Sequence, residues 1–188
     1  MLKLFFRLRV LGRENVKRNR SYVIVARHRS YWDIPVMAVA LGARNRIQFI
    51  ARRGLMKGNP IFRLAIRAYS TAIDRDRFAK SDFRRMRETF MQERLIGLFP
   101  EGTTKEHVDA KTGAVRFAEM AKKEILPVNI KPDGPYPPEY PFRYPKVTVS
   151  IGQPFRVADL NGDETAGEER SERRRRMNER LMERVDTA

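Results

Sequence analysis

Cysteine is absent from this 188-residue chain, histidine occurs twice and tryptophan once. No disulfide, thiol nucleophile or cysteine-bound metal is therefore available. His28 and His107 stand 79 positions apart, which is no metal-ligand spacing. Apolar residues never run unbroken for the roughly 18–20 positions that a membrane span needs. Residues 1–10, MLKLFFRLRV, are too short for a span and lack the apolar core and small-residue cleavage site of a secretory signal. Any membrane contact is expected to be peripheral. Acidic residues are scarce in one half: residues 1–100 carry 23 Lys and Arg against 7 Asp and Glu, while residues 101–188 carry 16 of each. The whole net charge of +16 thus belongs to the first half. Such an excess suits an anionic partner: lipid headgroups, a phosphorylated substrate, coenzyme A or an acidic carrier protein. The plain alternative is general solubilising charge in an arginine-rich chain, with 29 Arg against 10 Lys.

What is present describes a globular protein, 41% hydrophobic and 33% charged. Its length fits one domain with a real core. The division expected is residues 1–160 as that domain and residues 161–188 as a charged C-terminal helix or tail.

The chain is organised around residues 22–41. Tyr22-Val23-Ile24-Val25-Ala26 has the length and β-branched composition of a buried strand. It ends in the basic turn Arg27-His28-Arg29-Ser30-Tyr31-Trp32, and residues 34–41 then read as a buried helix. Asp33 is expected to be the N-cap, with Pro35 tolerated in the first turn. A strand-to-helix turn brings His28 and Asp33 together, whereas on a continuous helix residues five apart diverge by about 140°. In such a pair the carboxylate holds one ring nitrogen while the other accepts a proton from a nucleophile. The plain reading is a cap at residue 33 and a surface histidine at 28.

A second stretch, Leu98-Phe99-Pro100-Glu101-Gly102-Thr103, adds weight to the pair. His28-Arg29-Ser30-Tyr31-Trp32-Asp33 and Phe99-Pro100-Glu101-Gly102-Thr103 together resemble the glycerolipid acyltransferase family, the 1-acylglycerol-3-phosphate and glycerol-3-phosphate O-acyltransferases with a His-x4-Asp motif. Two softer blocks, Ile73-Asp74-Arg75 and Ile125-Leu126-Pro127-Val128, follow the same family order, and the likeness covers roughly residues 10–155. The resemblance implies His28 and Asp33 as catalytic residues and Arg75, Glu101, Gly102 and Thr103 as substrate-binding residues. It implies an acyl thioester donor, acyl-CoA or acyl carrier protein, a lysophospholipid or glycerol-phosphate acceptor, and no cofactor or metal. It also implies a bacterial phospholipid-synthesis enzyme. Many members of that family carry N-terminal membrane helices; with no span in this sequence, the enzyme is expected to work peripherally on the cytoplasmic face of the cell membrane. Two positions depart from the family: Arg27 stands where Asn usually precedes the histidine, and Thr104-Lys105 follow Thr103 in place of Arg-Ser. They bear on acceptor identity more than on the transfer chemistry. For Arg75 the plain alternative is an ion pair with Asp74 or Asp76.

Elsewhere, residues 6–10 alternate as a half-buried strand before a turn at 12–15, and residues 47–51 read as a core strand. From Pro60 a helical period places Ile61, Leu64, Ala65 and Ala68 opposite Arg63 and Arg67, a face for a sheet or for an anionic membrane. Residues 71–75 read as a short strand. Residues 78–94 form a charged helix with Phe83, Met86, Phe90 and Met91 as its core stripe. A strand at 95–99, a helix from 112 to 118, a strand at 125–130 and a final strand at 146–151 complete the alternation. His107 reads as a surface residue. Residues 133–146 hold five prolines and three tyrosines and form an extended loop. The tail, 165–185, is a polar helix laced with Glu–Arg pairs that docks weakly, or frays, through Met177, Leu181, Met182 and Val185. Alternating strands and helices predict an α/β fold with a mostly parallel or mixed central sheet flanked by helices. Net charge with Tyr31 and Trp32 among arginines leaves two alternatives, a basic nucleic-acid-binding domain and a catalytically silent membrane-binding relative.

Overall fold

The computed structural model describes residues 2–42, 44–54, 67–74, 77, 79–101, 113–139, 143–161 and 169–188. In chain order it contains α1 (Leu2–Phe5), β1 (Arg9–Leu11), β2 (Tyr22–Val25), α2 (Asp33–Leu41), β3 (Ile47–Arg52) and β4 (Ser70–Ile73). Then follow α3 (Lys80–Gln92), β5 (Leu95–Leu98), α4 (Gly113–Met120), β6 (Glu124–Asp133), β7 (Lys146–Ile151) and α5 (Arg170–Asp186). The strands form one seven-stranded sheet in the order β1-β7-β6-β2-β5-β3-β4. Only β6 and β7 pair antiparallel, so the α/β fold predicted from the alternation is the fold observed.

Every residue of β2 is buried, the mark of a strand covered on both faces. It lies between β5 and β6, parallel to both. Successive side chains point to opposite faces, so Val23 and Val25 join one apolar cluster with α3, α4 and α5. Tyr22 and Ile24 join the other, with Phe6 and α2. A three-layer sandwich results. Because β2 to β6 run parallel, their carboxyl ends share one edge of the sheet, where ligands of open α/β sheets bind.

Local details depart from the sequence expectations in four places. Residues 6–10 are not one strand: α1 ends at Phe5, Phe6 is buried, and pairing begins only at Arg9. Burying Phe6 against Trp32 and Tyr144 outweighs the period-two pattern. Asp33 is the first residue of α2 and Trp32 is the N-cap. Met91 is half-exposed, because α3 turns only Met86 and Phe90 fully inward, with buried Asp82 and Thr89 beside them. The C-terminal helix is firmly seated: Leu181 and Val185 are completely buried and Met177 and Met182 nearly so. Gly42, at φ 91°, ends α2 where a side chain would also meet Arg13. Residues 55–66, with most of the basic amphipathic stretch, lie outside the described residues, as does His107. No described helix is long and apolar enough to cross a membrane.

Gly97 in β5 connects the core to the site. A Cβ there would collide with the Phe49 ring and crowd Ile47. Phe49 lies parallel to Phe99, which stacks on His28. Gly97→Ala is expected to cost roughly 1–3 kcal/mol of stability through overpacking, measurable by urea unfolding, and to lower activity by tilting that column of rings. Wild-type stability in this variant would show that the rings move aside freely.

Candidate active site

The turn after β2 folds around Asp33. Its side chain is fully buried, and Oδ2 accepts the backbone N–H groups of Arg29 at 2.7 Å and Ser30 at 2.8 Å. The same oxygen lies 3.0 Å from Nδ1 of His28. Oδ1 accepts the hydroxyl of Tyr136 at 2.6 Å. A buried carboxylate is costly unless its lone pairs are satisfied, and here four donors satisfy it. Its place in the first turn of α2 adds a favourable interaction with the helix dipole.

His28 keeps 14% of its side chain exposed. With Nδ1 on Asp33, the neutral ring carries its proton there and presents Nε2 as the acceptor. Among the described residues nothing is hydrogen-bonded to Nε2. One face of the imidazole stacks on Phe99 at 4.3 Å between centroids and 20° between planes. The backbone N–H of His28 donates to Oε2 of Glu101 at 3.0 Å. Ring, backbone and tautomer are each held by a different group.

Glu101 reaches His28 because β5 lies beside β2 in parallel register, Leu98 opposite Val25. Its other oxygen, Oε1, takes Nη1 of Arg27 at 2.6 Å. Arg27 uses Nε and Nη2 on the two carboxylate oxygens of Asp186, at 2.6 and 2.7 Å. Arg27's hydrogen bonds hold the Asp186 carboxyl below its ordinary value. The pair is therefore complete above the ordinary carboxyl value of about 4, and is lost only as pH falls through the lowered one. Burial, then the charge and hydrogen bond of Asp33, push the Tyr136 phenol above its usual range, which keeps it a donor.

Comparison with known proteins gives this arrangement a family. The profile described as Acyltransferase matches residues 7–131, about two thirds of the chain. The chain belongs to the Acyltransferase family. A 1-acyl-sn-glycerol-3-phosphate acyltransferase of Bacillus subtilis (strain 168) is 26% identical over 154 residues, covering 81% of this chain and 76% of that protein. Another so named, from Streptococcus pneumoniae (strain ATCC BAA-255 / R6), is 31% identical over 144 residues, covering 76% of this chain. The chain spans about half of that relative's length, 53%. The crystal structure of the 1-acyl-sn-glycerophosphate (LPA) acyltransferase from Thermotoga maritima has the same fold, with a TM-score of 0.69 and 23% identity over 96% of this chain and 69% of that one.

For this acyltransferase, the structure brings His28, Asp33 and Glu101 together. Gly102, Thr103 and Thr104, like Arg75, lie outside the described residues. The segment bearing Arg75 is tied at both flanks to buried Asp82, which accepts the N–H groups of Asp74 at 3.4 Å and Ala79 at 3.2 Å and the Arg53 guanidinium at 3.0 Å. Membership in an enzyme family takes the place of the nucleic-acid-binding alternative.

Sequence reasoning missed Tyr136. It stands in the proline-rich loop, 103 positions from Asp33, and no local pattern joins the two. Removing its hydroxyl orphans one buried carboxylate oxygen. Tyr136→Phe is expected to lower kcat of acyl transfer roughly 5- to 50-fold, the equivalent of one lost charge-assisted hydrogen bond, with the Michaelis constants nearly unchanged. Steady-state kinetics check this, and unchanged kcat would mean that three donors suffice to hold Asp33.

Proposed function

We propose that the acyltransferase moves a fatty acyl group from an acyl thioester, acyl-CoA or acyl carrier protein, to the free hydroxyl of 1-acylglycerol-3-phosphate or a closely related lysophospholipid. The observation that carries this reading is the 3.0 Å contact between His28 Nδ1 and buried Asp33, which makes Nε2 a base aimed by the fold. The names of the two bacterial relatives support the acceptor class.

In the reaction, Nε2 of His28 takes the proton of the acceptor hydroxyl as its oxygen attacks the thioester carbonyl. Asp33 keeps the imidazole oriented and stabilises the imidazolium, as the carboxylate of a catalytic triad does. The C–O ester bond forms, the C–S bond breaks, and the departing thiolate takes the proton from His28. The acceptor is itself the nucleophile, so no serine or cysteine of the protein is required. The family resemblance assigns Arg75, Glu101, Gly102 and Thr103 to acceptor binding, and of these an arginine fork suits phosphate oxygens.

His28→Ala is expected to abolish thioester consumption in the presence of lysophosphatidic acid and leave the fold intact, because the Arg29 and Ser30 amides and the Tyr136 hydroxyl still hold Asp33. More than a tenth of wild-type turnover in that variant would disprove the general-base role. Arg75→Ala is expected to raise the acceptor KM with little change for the donor, at a cost of roughly 2–4 kcal/mol, or about 30- to 1,000-fold in kcat/KM. An equal effect on phosphorylated and unphosphorylated acceptors would make Arg75 a structural ion-pair residue.

The enzyme works peripherally at an anionic lipid surface on the cytoplasmic face of the membrane, a reading supported by the charge of +16 on residues 1–100. Co-sedimentation with phosphatidylglycerol vesicles is expected at low salt and is expected to fall at high salt. Retention on neutral vesicles at high salt would replace this with apolar insertion.

A further inference from the structure

Asp186 lies 159 positions from Arg27 in sequence and in the last turn of α5, yet its carboxylate takes two of the three Arg27 N–H groups that are in use. We propose that Asp186 is a positioning residue for the catalytic turn: it holds Arg27, Arg27 holds Glu101, and Glu101 fixes the backbone of His28. The proposal rests on His28 being the general base.

Three features make Asp186 an anchor. Leu181 and Val185, in the turns leading to it, are completely buried against the sheet. Its own backbone carbonyl accepts the side-chain amide of buried Asn129 at 2.7 Å, and Asn129 belongs to β6, the neighbour of β2. In the same turn the Arg184 guanidinium sits over the Phe155 ring at 4.3 Å. The end of the helix is thus pinned to the strand beside the one that leads into the turn.

The geometry suits positioning better than stability. Arg27 and Asp186 keep 36% and 45% of their side chains exposed, and exposed ion pairs contribute little to folding. Glu101, at 11% exposure, is the protected end of the chain of contacts, and it reaches the N–H of His28. Only a planar fork can supply Nε and Nη2 to one carboxylate and Nη1 to another. Arg27, immediately before the histidine, thereby extends the support of the turn to the C-terminal helix.

Kinetics of the full chain, with a long-chain acyl-CoA and 1-acylglycerol-3-phosphate as probes, test the relay. Asp186→Ala is expected to lower kcat roughly 5- to 50-fold, the scale of a small misplacement of a catalytic group, with both KM values within about threefold of wild type. Its thermal midpoint is expected to stay within about 3 °C of wild type. The double variant Arg27→Ala/Asp186→Ala is expected to be no worse than the poorer single one, because both break one chain of contacts. Arg27→Lys is expected to recover only part of the loss. Should Asp186→Ala unfold the protein, Asp186→Asn, of equal size, carries the test.

Wild-type kcat in the Asp186 variants, or losses that multiply in the double variant, would overturn the relay. A large rise in acceptor KM for Arg27→Ala alone would overturn it in favour of direct acceptor binding by Arg27. His28→Ala run beside them separates the two readings. An active His28→Ala removes the general base itself, whereas an inactive one beside a fully active Asp186→Ala removes only the relay.

Discussion

The turn that carries His28 depends on the burial of one carboxylate. Asp33 has no contact with water, and a bare carboxylate in that position would cost several kcal/mol. The compensation comes from the turn itself: two of its backbone amides, its histidine, and one tyrosine brought from a distant loop. The conformation that satisfies Asp33 is therefore the one that places Nδ1 of His28 against it. Folding and the placement of the imidazole use the same hydrogen bonds. Changing the turn to suit another purpose would first orphan a buried charge.

The parallel sheet does the remaining assembly. With β2 and β5 adjacent and aligned, the chain leaving Leu98 emerges beside the chain leaving Val25, so a glutamate 73 residues from the histidine reaches its amide. Charge is arranged across the two halves of the sequence. The basic half supplies Arg27, and its two carboxylate partners, Glu101 and Asp186, come from the half that is neutral overall. The charge of Arg27 is thus neutralised locally at the turn.

Much of this was legible in the sequence, and what was not shares a physical cause. A continuous β-branched run at 22–26 followed by an apolar helix is a local pattern, and it located β2, α2 and the turn between them. His28 and Asp33 are five apart, so their meeting required only that turn. Tyr136 and Asp186 carry no such signal. One is a tyrosine among three in a proline-rich loop, and the other an acid in a helix already laced with Glu–Arg pairs; each acts through a partner more than 100 positions away. Pairing at that range is decided by sheet order, which period and composition do not encode. Met91 shows the reverse error. It fits the apolar stripe of α3, but the helix gives inward positions to Asp82 and Thr89, and Met91 stays outside.

Holding the imidazole on so many sides has a consequence for the division of labour within the fold. Asp33 fixes the tautomer, Phe99 supports a face, and Glu101 fixes the backbone, so the ring is preorganised. None of these contacts comes from the segment that leaves β4 toward Arg75. That segment has its own buried carboxylate, Asp82, which ties its two flanks and the Arg53 guanidinium. His28 and this flank are thus organised around two separate buried acids. Among the described residues, the hydrogen bonds that hold Asp33 and those that hold Asp82 share no residue.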